Sequence, residues 1–246
     1  MSPHGRMNSV GGPVRASVPA SVPASEEEIV ARIHDAVIEQ RLPPGTKLSE
    51  AALCEAFGVG RARVRRSLLV LAGREIVELH VNRGAFVARP TPELARDVFD
   101  ARRAIEPNLV SRAARHATDA DLRRIEAQLA AETDALARRD RPQAIRLSGH
   151  FHLVLAEIAG NRLLERVVGE LVTRTSLIIG MFGSLGTDSC RTGEHDSMLQ
   201  AIRARDEDAG ARLMSEHLDH IEAGLDLSGK RSEPVDVVAM FAAARP

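Results

Sequence analysis

Residues 53–68, Leu53-Cys-Glu-Ala-Phe-Gly-Val-Gly-Arg-Ala-Arg-Val-Arg-Arg-Ser-Leu68, decide how the chain is read. A short apolar helix ends at Gly58, the chain turns through Val59 and Gly60, and a second helix opens with Arg61, Ala62, Arg63, Arg65 and Arg66. At about 100° per residue, Val64, Ser67, Leu68 and Leu71 share one face. Ala62, Arg63, Arg65 and Arg66 cover the other, and Arg61 lies between them, one turn from Arg65. A helix that is apolar on one side and lined with guanidinium forks on the other suits the major groove of DNA, where arginine grips phosphate or pairs bidentately with guanine. The stretch reads as a helix-turn-helix whose second helix is the recognition helix.

The flanks complete that unit. Ser25 with Glu28 forms a capping box that starts a first helix with apolar positions Ile29, Val30, Ile33 and Val37. Ser49 caps the second helix. After the arginines, Ile76-Val77-Glu78-Leu79 and Ala85-Phe86-Val87 flank Asn82-Arg83-Gly84, a β-hairpin with arginine at its tip. Helix, helix, helix and hairpin make a winged helix-turn-helix over 25–89, with Arg83 and Gly84 placed to touch a minor groove or phosphate. Charge follows the same line. The chain is nearly neutral, at −1, but Phe57 to Pro90 holds seven arginines against two glutamates, while the part from Thr91 onward is net acidic. A confined basic face on a near-neutral protein implies a local nucleic-acid surface and excludes a general polycation.

Beyond the Arg89-Pro90 linker, Thr91-Pro92-Glu93 restarts helix as cap, first-position proline and first-turn acid. Periodicity predicts helices over 94–116, 119–139, 142–159, 161–182, 194–204 and 206–227, with a loop at 184–193 and no strand. The fold class is therefore mainly α, a winged helix-turn-helix followed by an all-α bundle over 90–227. Residues 1–24 read as a disordered tail and 228–246 as a second tail, with room for a short docked helix near 235–244. Cys54 and Cys190 are too few for a disulfide framework. Neither a signal peptide nor an apolar run of membrane-spanning length is seen, so a cytoplasmic protein is expected.

Polar residues in apolar rows mark the second domain. His195 falls in a row with Met198, Leu199 and Ile202, His217 in one with Leu213, Met214 and Ile221, and His152 borders the face of Leu147, Phe151, Val154 and Leu155. Arg102 sits in the row Leu94, Val98, Ile105, Leu109. A buried charge or unpaired imidazole costs several kcal/mol, so each needs a partner inside the bundle. A single such histidine is most simply a hydrogen-bonded core residue; three on separate helices of one bundle converge naturally on a divalent metal. For Arg102, pairing with Glu106 one turn on and pairing with a ligand carboxylate stand as equal alternatives.

On these residues the chain resembles the GntR family of bacterial transcription regulators, in the FadR-like branch with an FCD effector domain. The likeness rests on Leu42-Pro43-Pro44-Gly45-Thr46-Lys47-Leu48-Ser49-Glu50, on Gly58-Val59 with Arg61 and Arg65 around Val64, and on Asn82-Arg83-Gly84-Ala85. In the second domain it rests on Arg102 with Ile105-Glu106, Phe151-His152, Gly160-Asn161, His195 and His217. The resemblance implies DNA contacts at Arg61, Arg65, Arg83 and Gly84, a divalent metal such as zinc on His152, His195 and His217, and Arg102 meeting an organic acid; Ser148 and Asn161 are expected as further effector contacts. It implies a homodimeric regulator, more often a repressor, on a palindromic operator. The chain departs from the family at Ser148, where the metal site has an aspartate. In the recognition helix Gly60, Arg63 and Arg66 replace a common Ser or Thr, Pro and Glu, so more salt-dependent DNA binding is expected. Two other function classes fit parts of the pattern: a metal-dependent enzyme built on the three histidines, which lacks an evident acid–base residue, and an architectural DNA binder without sequence preference.

Overall fold

The computed structural model describes residues 23–183 and 193–227; all but the last two residues of the expected 1–24 tail, all but Gly193 of the expected 184–193 loop, and the whole of the 228–246 tail lie outside the described residues. The first unit comprises α1 (Glu26–Ile38), β1 (Lys47–Leu48), α2 (Glu50–Phe57), α3 (Arg61–Gly73), β2 (Val77–His80) and β3 (Gly84–Val87). Ser25 and Glu28 form the capping box of α1. Gly58 ends α2 in the left-handed conformation (φ 66°), which gives the sharp exit that lets α3 start two residues later at the Gly60 cap. β1, β3 and β2 form an antiparallel sheet in that order, with Lys47 opposite Phe86 and Val77 opposite Val87. Ile29, Ile33, Val37, Leu53, Val64, Leu68, Leu71 and Val87 make the core under it. Strand β1 is absent from the sequence reading, since two residues carry no periodic signal.

The second unit is α4 (Pro92–His116), α5 (Asp119–Ala137), α6 (Arg141–Ile158), α7 (Arg162–Phe182), α8 (Glu194–Arg203) and α9 (Glu207–Ala223). Its core gathers Phe99, Val110, Ile125, Phe151, Val154, Ile178, Met198 and Met214. The last helix stops at Ala223, four residues short of the expected end. Gly224 closes it, and Leu225 instead makes a β-bridge with Gly183 at the end of α7.

Helix α7 ties the units together. Leu177, 3% exposed, is packed into the core of the first unit, and burying a leucine is worth about 1.5–3 kcal/mol. Beside it, Arg174 pairs with Glu75 at 2.7 Å and Thr173 Oγ1 lies 3.1 Å from His34 Nε2. Gln40, in left-handed backbone (φ 56°), packs against α7 at Gly180 with its Nε2 buried and unpartnered, so this seat is not fully satisfied.

Candidate metal centre and nucleic-acid interface

His152 on α6, His195 on α8 and His217 on α9 come together, each no more than 4% exposed, with one ring nitrogen from each within 4.8 Å of the others. Each imidazole is held by its own carboxylate. His152 Nδ1 donates to Glu106 at 2.6 Å, His195 Nδ1 to Glu132 at 3.1 Å and His217 Nδ1 to Glu194 at 2.7 Å. A carboxylate only accepts, so Nδ1 carries the proton and the lone pair sits on Nε2, the arrangement that orients histidine for metal ligation. Phe151 stacks on His195, ring centres 4.1 Å apart, and fixes the ring plane.

Two observations bear on whether a dication fits. The Nε2 atoms of His195 and His217 face each other at 3.4 Å; two imidazole nitrogens on one tetrahedral zinc, each at about 2.0–2.1 Å, stand about 3.3 Å apart. Two lone pairs so placed repel unless a cation or proton lies between them. Counted formally, Glu106, Glu132 and Glu194 against Arg102 leave two negative charges around the three rings, the charge a divalent ion cancels. These residues fit the group.

Arg102 and Glu106, both 2% exposed, form a buried pair on α4: Nε donates to Oε1 at 2.5 Å and Nη2 to Oε2 at 3.3 Å. Arg102 Nη1 also donates to Thr175 Oγ1 on α7 at 3.1 Å. The guanidinium thus meets the local acid, and three of its five N–H groups are used. Loss of one partner from such a pair costs about 3–5 kcal/mol. Ser148, Gly149 and His152 of α6, Val172, Thr175, Ser176 and Ile179 of α7, and Arg102 line a partly open cavity of about 30 Å³, room for roughly one water. Of the expected effector contacts, Arg102 and Ser148 meet here. Asn161 does not line the cavity; its Oδ1 caps α7 by accepting from the Leu163 and Leu164 amides. His150 turns away to Gln128, and the half-exposed His220 shares Glu194 with His217.

Sequence reading missed Glu132 and Glu194 as ring-holders. Glu132 carried a signal, an acid in the apolar row Ile125, Leu129, Ala135 of α5. Glu194 looked like an ordinary first-turn acid.

Burial pushes His152 down to about 4, aided by the Arg102 charge against the pull of Glu106. Burial likewise takes His217 to about 3, although its hydrogen bond to Glu194 works the other way. Burial alone would raise Glu106, but Arg102 and His152 outweigh it and hold the carboxyl well below its usual range. The unfolded chain therefore takes up imidazole protons first, near pH 6.5, and stability falls as pH drops from there toward the folded values. Glu106 adds acid lability only below the usual carboxylate range. The urea midpoint is expected to decline steadily from pH 7 to pH 5; a flat midpoint across that interval contradicts the buried neutral rings.

On the first unit, Arg61, Ala62, Arg65 and Arg66 are exposed along α3, and Arg63 is half-buried. Arg65 Nε lies 2.9 and 3.0 Å from the two Glu50 oxygens, Arg66 Nε 2.8 Å from Glu26, and Arg63 Nη1 donates to the Ala24 carbonyl at 2.8 Å. At the wing, Asn82 (φ 59°) and Gly84 (φ 92°) make the turn, and Arg83 reaches over the Phe86 ring, 5.7 Å from its centre.

The FCD domain profile matches residues 97–220, just over half of the chain, and that of the bacterial regulatory proteins of the gntR family matches residues 25–87. The HTH-type transcriptional repressor RspR of Escherichia coli K12 is 27% identical over 75% of this chain and 82% of its own length. The HTH-type transcriptional repressor NanR of Salmonella newport is 29% identical over 85% and 86%. Among solved structures, E. coli McbR/YncC superposes with a TM-score of 0.70 at 18% identity, over 80% of this chain and 95% of that one. A GntR-type regulator from Rhodococcus sp. RHA1 gives 0.69 at 24%, with the same coverage, and both speak to the fold alone. Among the described residues no helix is long and apolar enough to cross a membrane.

Proposed function

The chain belongs to the gntR family of bacterial regulatory proteins and carries an FCD domain, and from that membership we propose that it is a homodimeric repressor whose grip on a palindromic operator is set by a small carboxylic acid bound beside a divalent cation in the helical domain. It is a DNA-binding transcriptional regulator, as its relatives are, and not an enzyme. The observation that carries the proposal is the convergence of His152, His195 and His217, each backed by a glutamate, with His152 lining the same cavity as Arg102.

The three histidines would hold the cation, which when bound supplies a Lewis-acidic anchor for an anion. Arg102 keeps two N–H groups for an acid after its bonds to Glu106 and Thr175. Ser148 on the same cavity is uncharged, so an anion approaches where an aspartate would repel it, and its hydroxyl can donate a hydrogen bond. A serine is a poor ligand, which leaves a coordination position for the acid itself.

Within its walls the cavity has room for about one water, so a carboxylic acid seated there would push them apart. Val172, Thr175, Ser176 and Ile179 belong to α7, and the same helix carries Thr173, Arg174 and Leu177 against the DNA-binding unit. Acid binding that displaces α7 therefore acts on the seat of that unit, which is how differential affinity for two arrangements becomes a change in operator affinity.

The test is selection of binding sites from a random DNA pool by the full chain, repeated with small carboxylic acids and with a chelator. A palindromic site whose recovery falls in the presence of one acid, and stops responding after chelation, is expected. Enrichment of no sequence would favour an architectural binder, and a site indifferent to every acid and to chelation would refute the effector half.

A further inference from the structure

We infer that Glu26 is an internal competitor for DNA: it holds Arg66 back from phosphate in the free protein, and this latch lowers and tunes the affinity of the recognition helix. The inference rests on the DNA-binding reading of α3 and concerns which of its arginines are at liberty to act.

The arginines of α3 divide between two flanks. Arg65 lies toward the start of α2, where Glu50 takes its Nε, and Arg61, one turn earlier, has no hydrogen bond or ion pair among the described residues. Arg63 and Arg66, three apart and so on one side of the helix, face the start of α1. There Arg66 Nε meets Glu26 Oε2 at 2.8 Å, Arg63 Nη1 meets the Ala24 carbonyl at 2.8 Å, and Ser67 Oγ lies 3.5 Å from the Glu26 carbonyl. The first residue of α1 is thus fastened to α3 by side chain and backbone together. Arg63 and Arg66 raise the arginine count of the helix, yet both are spent on the protein itself.

The latch is placed to be broken. The Arg66 and Glu26 side chains are 59% and 30% exposed, and surface pairs of this kind are weak and screened by salt. A phosphodiester offers the guanidinium the same charge and the same planar fork of oxygens. Each phosphate that reaches Arg66 must displace a carboxylate, which then remains beside the DNA as a repelling charge. The number of counterions released is therefore smaller than the number of arginines on the helix.

The experiment is a double-mutant cycle read by fluorescence anisotropy on a random-sequence duplex, with the full chain, between about 50 and 200 mM salt. Glu26→Gln is expected to tighten binding several-fold at the low end and to steepen log K against log salt by about 0.9, the contribution of one added phosphate. Glu27→Gln supplies the charge control: it removes the same charge one residue on, from an exposed side chain with no ion pair among the described residues. It is expected to tighten binding less and to leave the slope alone. In an Arg66→Ala background, Glu26→Gln should do no more than Glu27→Gln. Equal effects of Glu26→Gln and Glu27→Gln, a Glu26→Gln gain that survives loss of Arg66, or weaker binding by Glu26→Gln would each overturn the latch. Failure of the wild-type chain to bind any duplex would instead sink the DNA-binding reading on which it rests.

Discussion

Arg65→Ala is expected to weaken binding to a selected operator by roughly 10- to 100-fold while leaving thermal unfolding unchanged. The side chain is well exposed on α3, and its Nε is held by the two oxygens of Glu50, a residue fixed at the first position of α2 next to the Ser49 cap. The substitution also strips Glu50 of its partner and leaves a bare carboxylate facing phosphate, which enlarges the loss beyond that of one contact. Arg61→Ala, which exposes no acid, should cost less. Anisotropy at one fixed salt concentration decides between them; wild-type affinity in Arg65→Ala would remove α3 from the interface.

The sequence carried the arginine face, the wing and the three histidine rows because each breaks a pattern. Guanidinium groups on one side of a helix, and imidazoles inside apolar stripes, stand out against the periodicity that surrounds them. Which partner satisfies each group is a different matter. Arg65 meets Glu50 fifteen residues away and Arg66 meets Glu26 forty away; such pairs depend on how α1, α2 and α3 cross, which periodicity does not encode. Asn161 shows the reverse. Its place after Gly160 carries an expected effector contact, and its role as the cap of α7 shows only in the hydrogen bonds its Oδ1 accepts from the Leu163 and Leu164 amides. The Arg102–Glu106 pair was legible from its four-residue spacing, but Thr175 and His152, which tie it to α7 and to the histidine cluster, were not. The end of α9 was overrun because Leu225 and Leu227 continue the apolar pattern, and the bridge from Leu225 to Gly183 is a tertiary choice.

The second large effect concerns the histidine centre. Ligand that binds only the folded chain stabilises it by RT ln(1 + [L]/Kd), about 2.7 kcal/mol at a hundredfold excess over Kd. Zinc is therefore expected to raise the melting temperature of the chelator-treated chain by several degrees, with a gain that vanishes in His195→Ala. His195 is the decisive position, since its Nε2 faces that of His217 at 3.4 Å while Glu132 holds its other nitrogen and Phe151 its plane. His150→Ala on the same helix as His152 is the control, because that ring is bonded to Gln128 instead. The direct measurement is a zinc titration of the full chain followed by calorimetry and by melting. A single tight equivalent in the wild type and in His150→Ala, absent in His195→Ala, is the expected result. Equal uptake and equal melting shifts in wild type and His195→Ala would contradict a metal-binding centre.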